Sequence, residues 1–514
     1  MTKIVIVGGG TAGWMTACYL SSRLKSALGD EGLHITLVES SDILPIGVGE
    51  ATTPTIRGTL AAMGISEKRF LKECDATFKH GIKFVQWDKT PDELAGDYYF
   101  HPFERPLTAA GDNIAGHWLS KADPYKRCFA DAVSIQNKVA AKNLAPKTLK
   151  DPGYAGPMPY AYHLDAGKLA CLLKDVALER GVSHKIGHVS EIFNDKDGGI
   201  ERLVLEDGSE LQGDLFVDCS GFSALLIEKH FGEQFHDITD ILFCDKAVTC
   251  QVPHQTENED IRPYTTSTAQ TAGWIWDIGL MSRRGTGHVY SSRHQSSDEA
   301  EAILRTYLGP AAKNLPIRHL NMRVGYRHRQ WLKNCISIGL SGGFVEPLES
   351  TGIHLVEESL AILLEMIPRY LRSAQGQKCL PRDLFNTHMK NHYELIIDFI
   401  KFHYYLSHRR DTDFWRDNTD ANSAPREMLD RVNAWKSGYP NAFDFKLLHS
   451  TFDHSSYQYV MFGLRHGPQE GFNYAGPHIN HAVKVFENVN AALPRALNVL
   501  PNHRRLLDQI RSSE

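Results

Sequence analysis

Three glycines and one acid near the start of the chain have the spacing of a phosphate cradle. Gly8, Gly10 and Gly13 stand in G-x-G-x-x-G register inside Lys3–Gly13, KIVIVGGGTAG. In such a turn the first glycine permits the tight reversal. The second lets the backbone approach a pyrophosphate, and the third lets the next helix lie close on the strand. The N–H groups of the helix start then face the anion. Glu39 follows Gly13 by 26 residues, close to the distance expected of an acid that bonds a ribose hydroxyl. The elements that must position these residues are legible around them. Ile4–Val7 is a short β-branched run that predicts a buried parallel strand. Thr11–Leu20 reads as a helix with few charges, and His34–Glu39 as a second strand that ends in the acid. A glycine turn that binds nothing is the alternative, and the strand–turn–helix–strand–acid context argues against it.

Composition narrows the class. The 514 residues are 42% hydrophobic and 23% charged, with a formal net charge of −5. That is an ordinary globular balance. No basic block suggests nucleic acid or a membrane surface. No apolar run reaches the length of a membrane span, and the N-terminus enters a strand without the features of a signal peptide. Nine scattered cysteines without a C-x-x-C read as reduced thiols of a cytoplasmic protein. The 25 histidines form no H-E-x-x-H and no Cys/His quartet, so no metal site is expected.

Along the chain, Ser41–Pro54 reads as a loop in which Gly47 and Gly49 approach a ligand. Met63–Cys74 predicts a helix. Thr77–Trp87 predicts one strand, with Lys79 and Lys83 on the same face. Phe78 and Ile82 would place the Lys79 ammonium in apolar company, which lowers a lysine pKa; a snorkelling strand lysine fits as well. Asp92–Ala145 reads as irregular and carries His101 and Phe103. A helix follows Tyr162–Asp165, and Glu191–Phe193 with Ile200–Leu211 suggests a hairpin. Leu215–Ser220 and Asn334–Leu340 read as buried strands. Residues 241–330 alternate strands and turns, and from Leu355 the pattern is helical to the end, broken by a loop at Asp411–Ala424. The fold class is α/β: a Rossmann-like nucleotide module, a mixed β-sheet substrate part, and a mainly helical C-terminal region.

Four further segments come in a set order after the glycine-rich opening. They are Gly47-Val-Gly-Glu-Ala-Thr52, the Lys79 segment, Trp274-x-Trp276-x-Ile278, and Glu346-Pro-Leu-Glu-Ser-Thr-Gly352. Together these resemble the flavin-dependent tryptophan halogenase family, over roughly residues 1–420. The resemblance implies a flavin-monooxygenase-type fold. Reduced FAD from a separate reductase meets O2, a C4a-hydroperoxide forms, and chloride or bromide attacks it to give hypohalous acid. The acid passes through a tunnel to a lysine beside an aromatic substrate.

The same resemblance assigns residues. Gly8, Gly10, Thr11, Ala12, Gly13, Glu39, Gly49, Ala51, Val189, Leu340 and Ile353 would bind FAD. Thr351 and Gly352 would hold the halide, in the manner of a backbone anion nest. Lys79 would be the catalytic lysine and Glu349 the catalytic acid, with Glu346 as competitor; both acids also suit a helix N-terminus. His101, Phe103 and Phe452 would line the substrate pocket. Trp274 and Trp276 would keep substrate from the flavin; the family's closing proline is Gly279 here, which implies a more flexible backbone. The implied layout is a core at 1–370, with FAD segments near 1–80, 160–240 and 325–370, and a helical region at 371–514 that covers the pocket. The protein is expected to be a monomer or homodimer. Members that bind free tryptophan carry a Tyr-Tyr pair followed by Glu and Phe-Trp. Pro440–Phe452 reads PNAFDFKLLHSTF, so the expected substrate is indole or a substituted indole. A flavin hydroxylase of the same fold and a catalytically degenerate FAD-binding protein are the alternatives.

Overall fold

The computed structural model describes residues 1–28, 32–42, 49–94, 96–445, 451–469, 472, 474 and 476–513. Gly47 and Val48 of the glycine loop, and residues 446–450 of the C-terminal comparison segment, lie outside the described residues. The chain divides into two units, each assembled from three segments.

The first unit comprises Met1–Ala76, Leu164–Ile238 and Met322–Glu394. Its main sheet has the strand order Ser183–Ile186, Leu33–Glu39, Thr2–Val7, Leu215–Asp218, Cys335–Ser337, Trp331–Leu332. The first five are parallel, with Ile4 opposite both Ile35 and Leu215. Only the last pair is antiparallel. Ile4, Val5, Ile6, Leu37, Val38, Phe216 and Val217 are all buried, as a parallel sheet covered on both faces requires. Helix Thr11–Leu28 buries Trp14, Cys18, Leu20 and Leu24. It packs on helices Ala166–Glu179 and Thr351–Arg372. A three-stranded antiparallel sheet, Val189–Asn194, Ile200–Leu205 and Glu210–Gln212, joins Leu203, Leu205 and Leu211 to a core with Val5, Val7 and Val38.

Three expectations change here. The hairpin gains a third strand. Met63–Cys74 is not one helix: Ile56–Ala62 ends before a turn at Gly64, φ 65°, and Ser66 caps a new helix, Glu67–Glu73, by accepting from the Arg69 N–H. The Asn334–Leu340 strand is only Cys335–Ser337, because Gly339 at φ 73° turns the chain into a short 3-10 turn, Gly339–Ser341.

The second unit comprises Thr77–His163, Thr239–Asn321 and Leu395–Glu514. Its seven-stranded sheet runs Ile317–Asn321, Lys246–Pro253, Arg283–Tyr290, Gly273–Gly279, Thr265–Gln270, Gly81–Val85, Tyr98–Pro102. All pairs are antiparallel except Thr265–Gln270 with Gly81–Val85. Helix Ser297–Leu308 begins at a Ser296/Glu299 capping box. It buries Ala300 and Leu304 against Val248, Ile275 and Tyr290. Trp274 and Trp276 alternate with Ile275, so they occupy the opposite face of their strand. Helices Ile479–Val499 and His503–Ser512 end the chain. Among the described residues no helix is long and apolar enough to cross a membrane.

The expected single strand Thr77–Trp87 is two strands in two sheets. Thr77–Lys79 pairs with Ala161–His163, whereas Gly81–Val85 enters the large sheet. The break follows from close approach: a Cβ on Gly81 would collide with the His101 carbonyl. Lys79 and Lys83 therefore do not share a strand face. Asp92–Ala145 is more ordered than expected. It holds strand Tyr98–Pro102, a ribbon at Thr108–Ala109 and Asp112–Asn113, and helices Ile114–Leu119, Phe129–Val133 and Gln136–Ala141. Helices of five or six residues are too short to display a 3.6-residue period. The same holds for Asp413–Asn418 inside the expected Asp411–Ala424 loop.

Candidate active site

The glycine turn of the first unit is closed by backbone bonds: the Gly8 N–H donates to the Val38 carbonyl at 2.8 Å and the Cys219 N–H to that of Val7 at 2.8 Å. Gly8 has φ 113°, and a Cβ there would collide with the Cys219 carbonyl. At Gly13 a Cβ would strike the Gly8 carbonyl. At Gly10 it would meet nothing within 4 Å. Gly8 and Gly13 are thus demanded by packing, whereas Gly10 is exposed and faces open space. Gly9 is a requirement that the motif did not reveal, because its Cβ would overlap the Glu39 carboxylate. Glu39 Oε1 lies 2.8 Å from His184 Nε2 and 3.5 Å from Lys174 Nζ. Thr11 donates to the Ala166 carbonyl at 3.4 Å. Ala12 lies against Gly339, just before Leu340. Gly49 and Ala51 share a short strand, and Val189 opens another, packed on the core. Ile353 is buried in the first turn of helix Thr351–Arg372.

The entry to that helix is strained. Glu349 and Ser350 take φ 67° and 65° in succession. Each such non-glycine residue costs on the order of 1–3 kcal/mol and persists only where its surroundings fix it. Glu349 is 4% exposed. Among the described residues no side chain caps the helix, and the first N–H groups of a helix have no partner within it. Thr351 is 0% exposed, and its hydroxyl has no hydrogen-bond partner among the described residues. A Cβ on Gly352 would meet nothing within 4 Å. An unsatisfied buried donor at a helix N-terminus beside open space suits a small anion. Together with the opening at Gly10, these observations show that the first unit's residues fit a dinucleotide flavin and a halide.

One turn on, His354 lies 3.2 Å from Thr55 Oγ1 and 3.5 Å from Glu358. Glu357 accepts from Thr55 at 3.0 Å and from Thr59 at 2.5 Å. Burial, with His392 adding, holds His354 down to about 3. Burial pushes Glu357 up to about 8 against those two hydroxyl bonds. Neither residue was singled out from sequence; the i, i+3 spacing of a polar pair on a helix carries no mark of burial.

The second unit holds the lysine. Lys79 is 0% exposed and its Nζ sits 5.2 Å over the Phe103 ring. Lys83 is half-buried, over Tyr98 at 4.0 Å. Three buried histidines surround the Lys79 strand: His80, His163 and His503. Burial holds His80 down to about 3 and His503 to about 4. Burial holds His163 well below its ordinary value, with the charge of Lys79 and then His503 adding. His101 packs among Phe399, Tyr459 and Phe452, with ring centroids at 5.7, 6.0 and 6.5 Å. Phe399 stacks on Phe452 at 4.2 Å. The structure therefore joins His101 to Phe452 and Phe103 to Lys79, and adds Phe399 and Tyr459, which only the three-dimensional packing reveals.

The rings of Trp274 and Trp276 meet edge-on at 6.5 Å. Trp274 is buried, and its Nε1 has no hydrogen-bond partner among the described residues. Gly279 corrects an expectation. It is held in the sheet opposite Arg284, its carbonyl accepts from Thr77 Oγ1 at 2.5 Å, and a Cβ would lie 2.6 Å from Ile261. The glycine is a close-packed junction rather than a loose end.

A Rossmann-like parallel sheet with this glycine turn, joined in sequence to a mixed sheet and C-terminal helices, defines the flavin-monooxygenase type of fold. Within that class the chain belongs to the tryptophan halogenase family, whose pattern matches residues 3–476, and it is an enzyme of the flavin-dependent halogenase kind. It is 38% identical over 458 residues to the 7-chloro-L-tryptophan 6-halogenase KtzR of Kutzneria sp. (strain 744), covering 85% of this chain and 86% of the other. It is 34% identical over 519 residues to the tryptophan 7-halogenase RebH of Lentzea aerocolonigenes, covering 95% and 93%. Its structure matches the crystal structure of a tryptophan halogenase from Shewanella frigidimarina NCIMB 400 with TM-score 0.94 and 36% identity, over 99% of this chain and 98% of that one.

Proposed function

We propose that the protein halogenates an electron-rich aromatic ring, indole or a substituted indole, with chloride or bromide, and that Lys79 and Glu349 carry the chemistry. The observation that carries this reading is a fully buried lysine with its Nζ against an aromatic ring. Burying an ammonium is costly, and such cost concentrates where a group works.

Gly8, Gly10, Thr11, Ala12, Gly13 and Glu39 would hold the nucleotide half of FAD, with Gly49, Ala51, Val189, Leu340 and Ile353 completing its site. When bound, reduced flavin from a separate reductase would supply the oxygen activation that turns halide into hypohalous acid. Thr351 and Gly352 hold the halide: the Thr351 hydroxyl donates to it, and the helix N-terminus favours its charge. Lys79 holds the hypohalous acid as a hydrogen-bond donor, or as a neutral amine takes the halogen to form an N–halogen bond with release of water. His101, Phe103 and Phe452 offer ring faces to a flat substrate. Glu349 accepts the proton that the halogenated ring loses.

Two results test this reading. The Pro440–Phe452 segment lacks the Tyr-Tyr pair followed by Glu and Phe-Trp of members that bind free tryptophan, so kcat/KM for indole should exceed that for tryptophan by about tenfold, an unpaired buried polar group costing about 1–3 kcal/mol. Faster turnover of tryptophan, read as halogen isotope doublets in the product, would overturn the substrate assignment. Thr351→Val removes the buried hydroxyl and keeps the shape. The halide concentration for half-maximal rate should rise about 10- to 100-fold, with FAD binding unchanged, since a hydrogen bond to a charge contributes about 1.5–3 kcal/mol. An unchanged halide requirement would remove Thr351 from the halide site.

A further inference from the structure

We infer that His503, outside the segment matched by the family pattern, is a positioning residue that fixes the strand carrying Lys79. The inference rests on the reading of Lys79 as the catalytic lysine.

The geometry begins with an incomplete strand. Among the described residues Thr77–Lys79 pairs on one side only, with Ala161–His163. Phe78 and His80, two residues apart, send their N–H groups to the other side. A buried strand edge whose N–H groups find no acceptor is costly. The His80 N–H finds the Pro263 carbonyl at 2.8 Å. The Phe78 N–H finds no backbone; it donates to His503 Nε2 at 3.0 Å. Because Nε2 accepts, the ring proton sits on Nδ1, which lies 2.9 Å from the Ile261 carbonyl and donates to it. The imidazole thus stands in for one residue of a missing neighbour strand. It links the backbone just before Lys79 to the 261–263 segment that also receives His80.

The support for His503 is itself rigid. Its own N–H donates to the Asn143 carbonyl at 2.8 Å. Asn502 caps helix His503–Ser512, and its amide donates to Asp260 at 3.0 Å. The Ala145 N–H donates to the Pro501 carbonyl at 2.9 Å, and Leu144 bridges to Asn502. Leu144 also meets His80 Nε2 at 3.0 Å. Both neighbours of Lys79 in the chain, Phe78 and His80, are therefore fastened to one frame, of which the Pro501–His503 segment is a part. Burial holds His503 in the neutral form that this bond pattern needs. Removing Nε2 leaves the Phe78 N–H to seek another acceptor, and the Lys79 strand shifts with it. A displacement near 1 Å at a reacting group costs about 10²-fold in rate.

The test is a comparison of His503→Ala, His503→Asn and His503→Gln in the full-length protein. It uses FAD, a flavin reductase with NADH, bromide and indole, and the readouts are kcat, KM, FAD affinity, melting temperature and halogenated product per reduced flavin consumed. An Asn amide reaches Ile261 and falls short of Phe78, whereas a Gln amide reaches the Phe78 N–H. The expected result is a drop in kcat and in product per flavin of about 10- to 100-fold in Ala and Asn, with KM and FAD affinity unchanged and recovery in Gln. If Ala does not fold, Asn against Gln carries the same comparison. Wild-type kcat and coupling in His503→Asn, whatever its melting temperature, would overturn the inference and leave a purely structural histidine. Lys79→Ala is assayed alongside. If it keeps full halogenation, the reading of Lys79 fails; if it is inactive while His503→Asn is unaffected, only the positioning role fails.

Discussion

Lys79→Met, assayed with a flavin reductase, halide and indole, is expected to give no halogenated product above background while binding FAD as the unchanged protein does. The loss should be at least about 10³-fold, within the range for a group that acts directly on the reacting atoms. The two observables separate because the residues assigned to FAD belong to the first unit and Lys79 to the second. Methionine fills much the same volume and makes good contact with the Phe103 ring, so the packing around residue 79 is kept. An activity lost while FAD still binds distinguishes a working lysine from a structural one. Lys79→Arg should fail too, since a guanidinium does not deprotonate and needs more room. Lys83→Ala should keep activity, because Lys83 stands on a different strand with its Nζ over Tyr98. Halogenation persisting in Lys79→Met would place the halogen-transferring group elsewhere.

The legible parts of this molecule are those written in local periodicity. The strand–glycine–helix start at Ile4–Gly13, the strand ending at Glu39 and the buried run read as Leu215–Ser220 are each set by a few contiguous residues, and the structure shows all three elements, the last as Leu215–Asp218. The strand break at His80 was not legible. It depends on how closely the His101 backbone passes Gly81, a contact between residues that are distant in sequence. That break decides which lysine is buried, so the proposal of Lys79 as the catalytic lysine comes from family resemblance and not from alternation along Thr77–Trp87. Gly279 shows the opposite error. Read locally it is a flexible substitute for proline, yet Ile261 and Thr77 close around it. The buried polar groups were missed for a common reason. His354, Glu357, His163 and His503 look like surface residues in sequence, since nothing local signals that distant parts of the chain bury them.

Those buried groups lead to the second large effect, an acid unfolding that begins unusually early. Burial holds His80 and His354 down to about 3, and His288 and His503 to about 4, from an ordinary 6.5. Below pH 6.5 the unfolded chain takes up protons on these four residues that the folded chain refuses, so their contribution to stability is complete above pH 6.5 and is lost as pH falls toward 4 and 3. Glu357, pushed up to about 8, acts in the opposite sense: the folded protein keeps a proton that the unfolded chain releases above its ordinary 4.5, and stability declines as pH rises to 8. Glu50, pushed up to about 7 by burial and by Asp165, adds to that decline. Between pH 4.5 and 6.5 these four histidines outweigh the two carboxyls, and His163, held well below its ordinary value by burial, acts in the same sense. At 1.36 kcal/mol per proton and pH unit, stability should then fall by about 3 kcal/mol per unit on acidification, and more steeply below 4.5, where the carboxyls no longer differ. A native state worth about 5–15 kcal/mol is exhausted within a few units at that slope. The melting temperature should peak near pH 6.5, and the protein should unfold cooperatively by about pH 4. Calorimetric melts from pH 8 to 4 measure this directly. Glu357→Gln should flatten the alkaline side, because its amide cannot ionise and keeps both threonine hydroxyls in reach, and His354→Phe should lower the acid slope by about one proton. A melting temperature level from pH 6.5 to 4.5 would mean that these histidines find solvent or protons in the folded state, and the buried neutral frame around Lys79 would have to be given up with them.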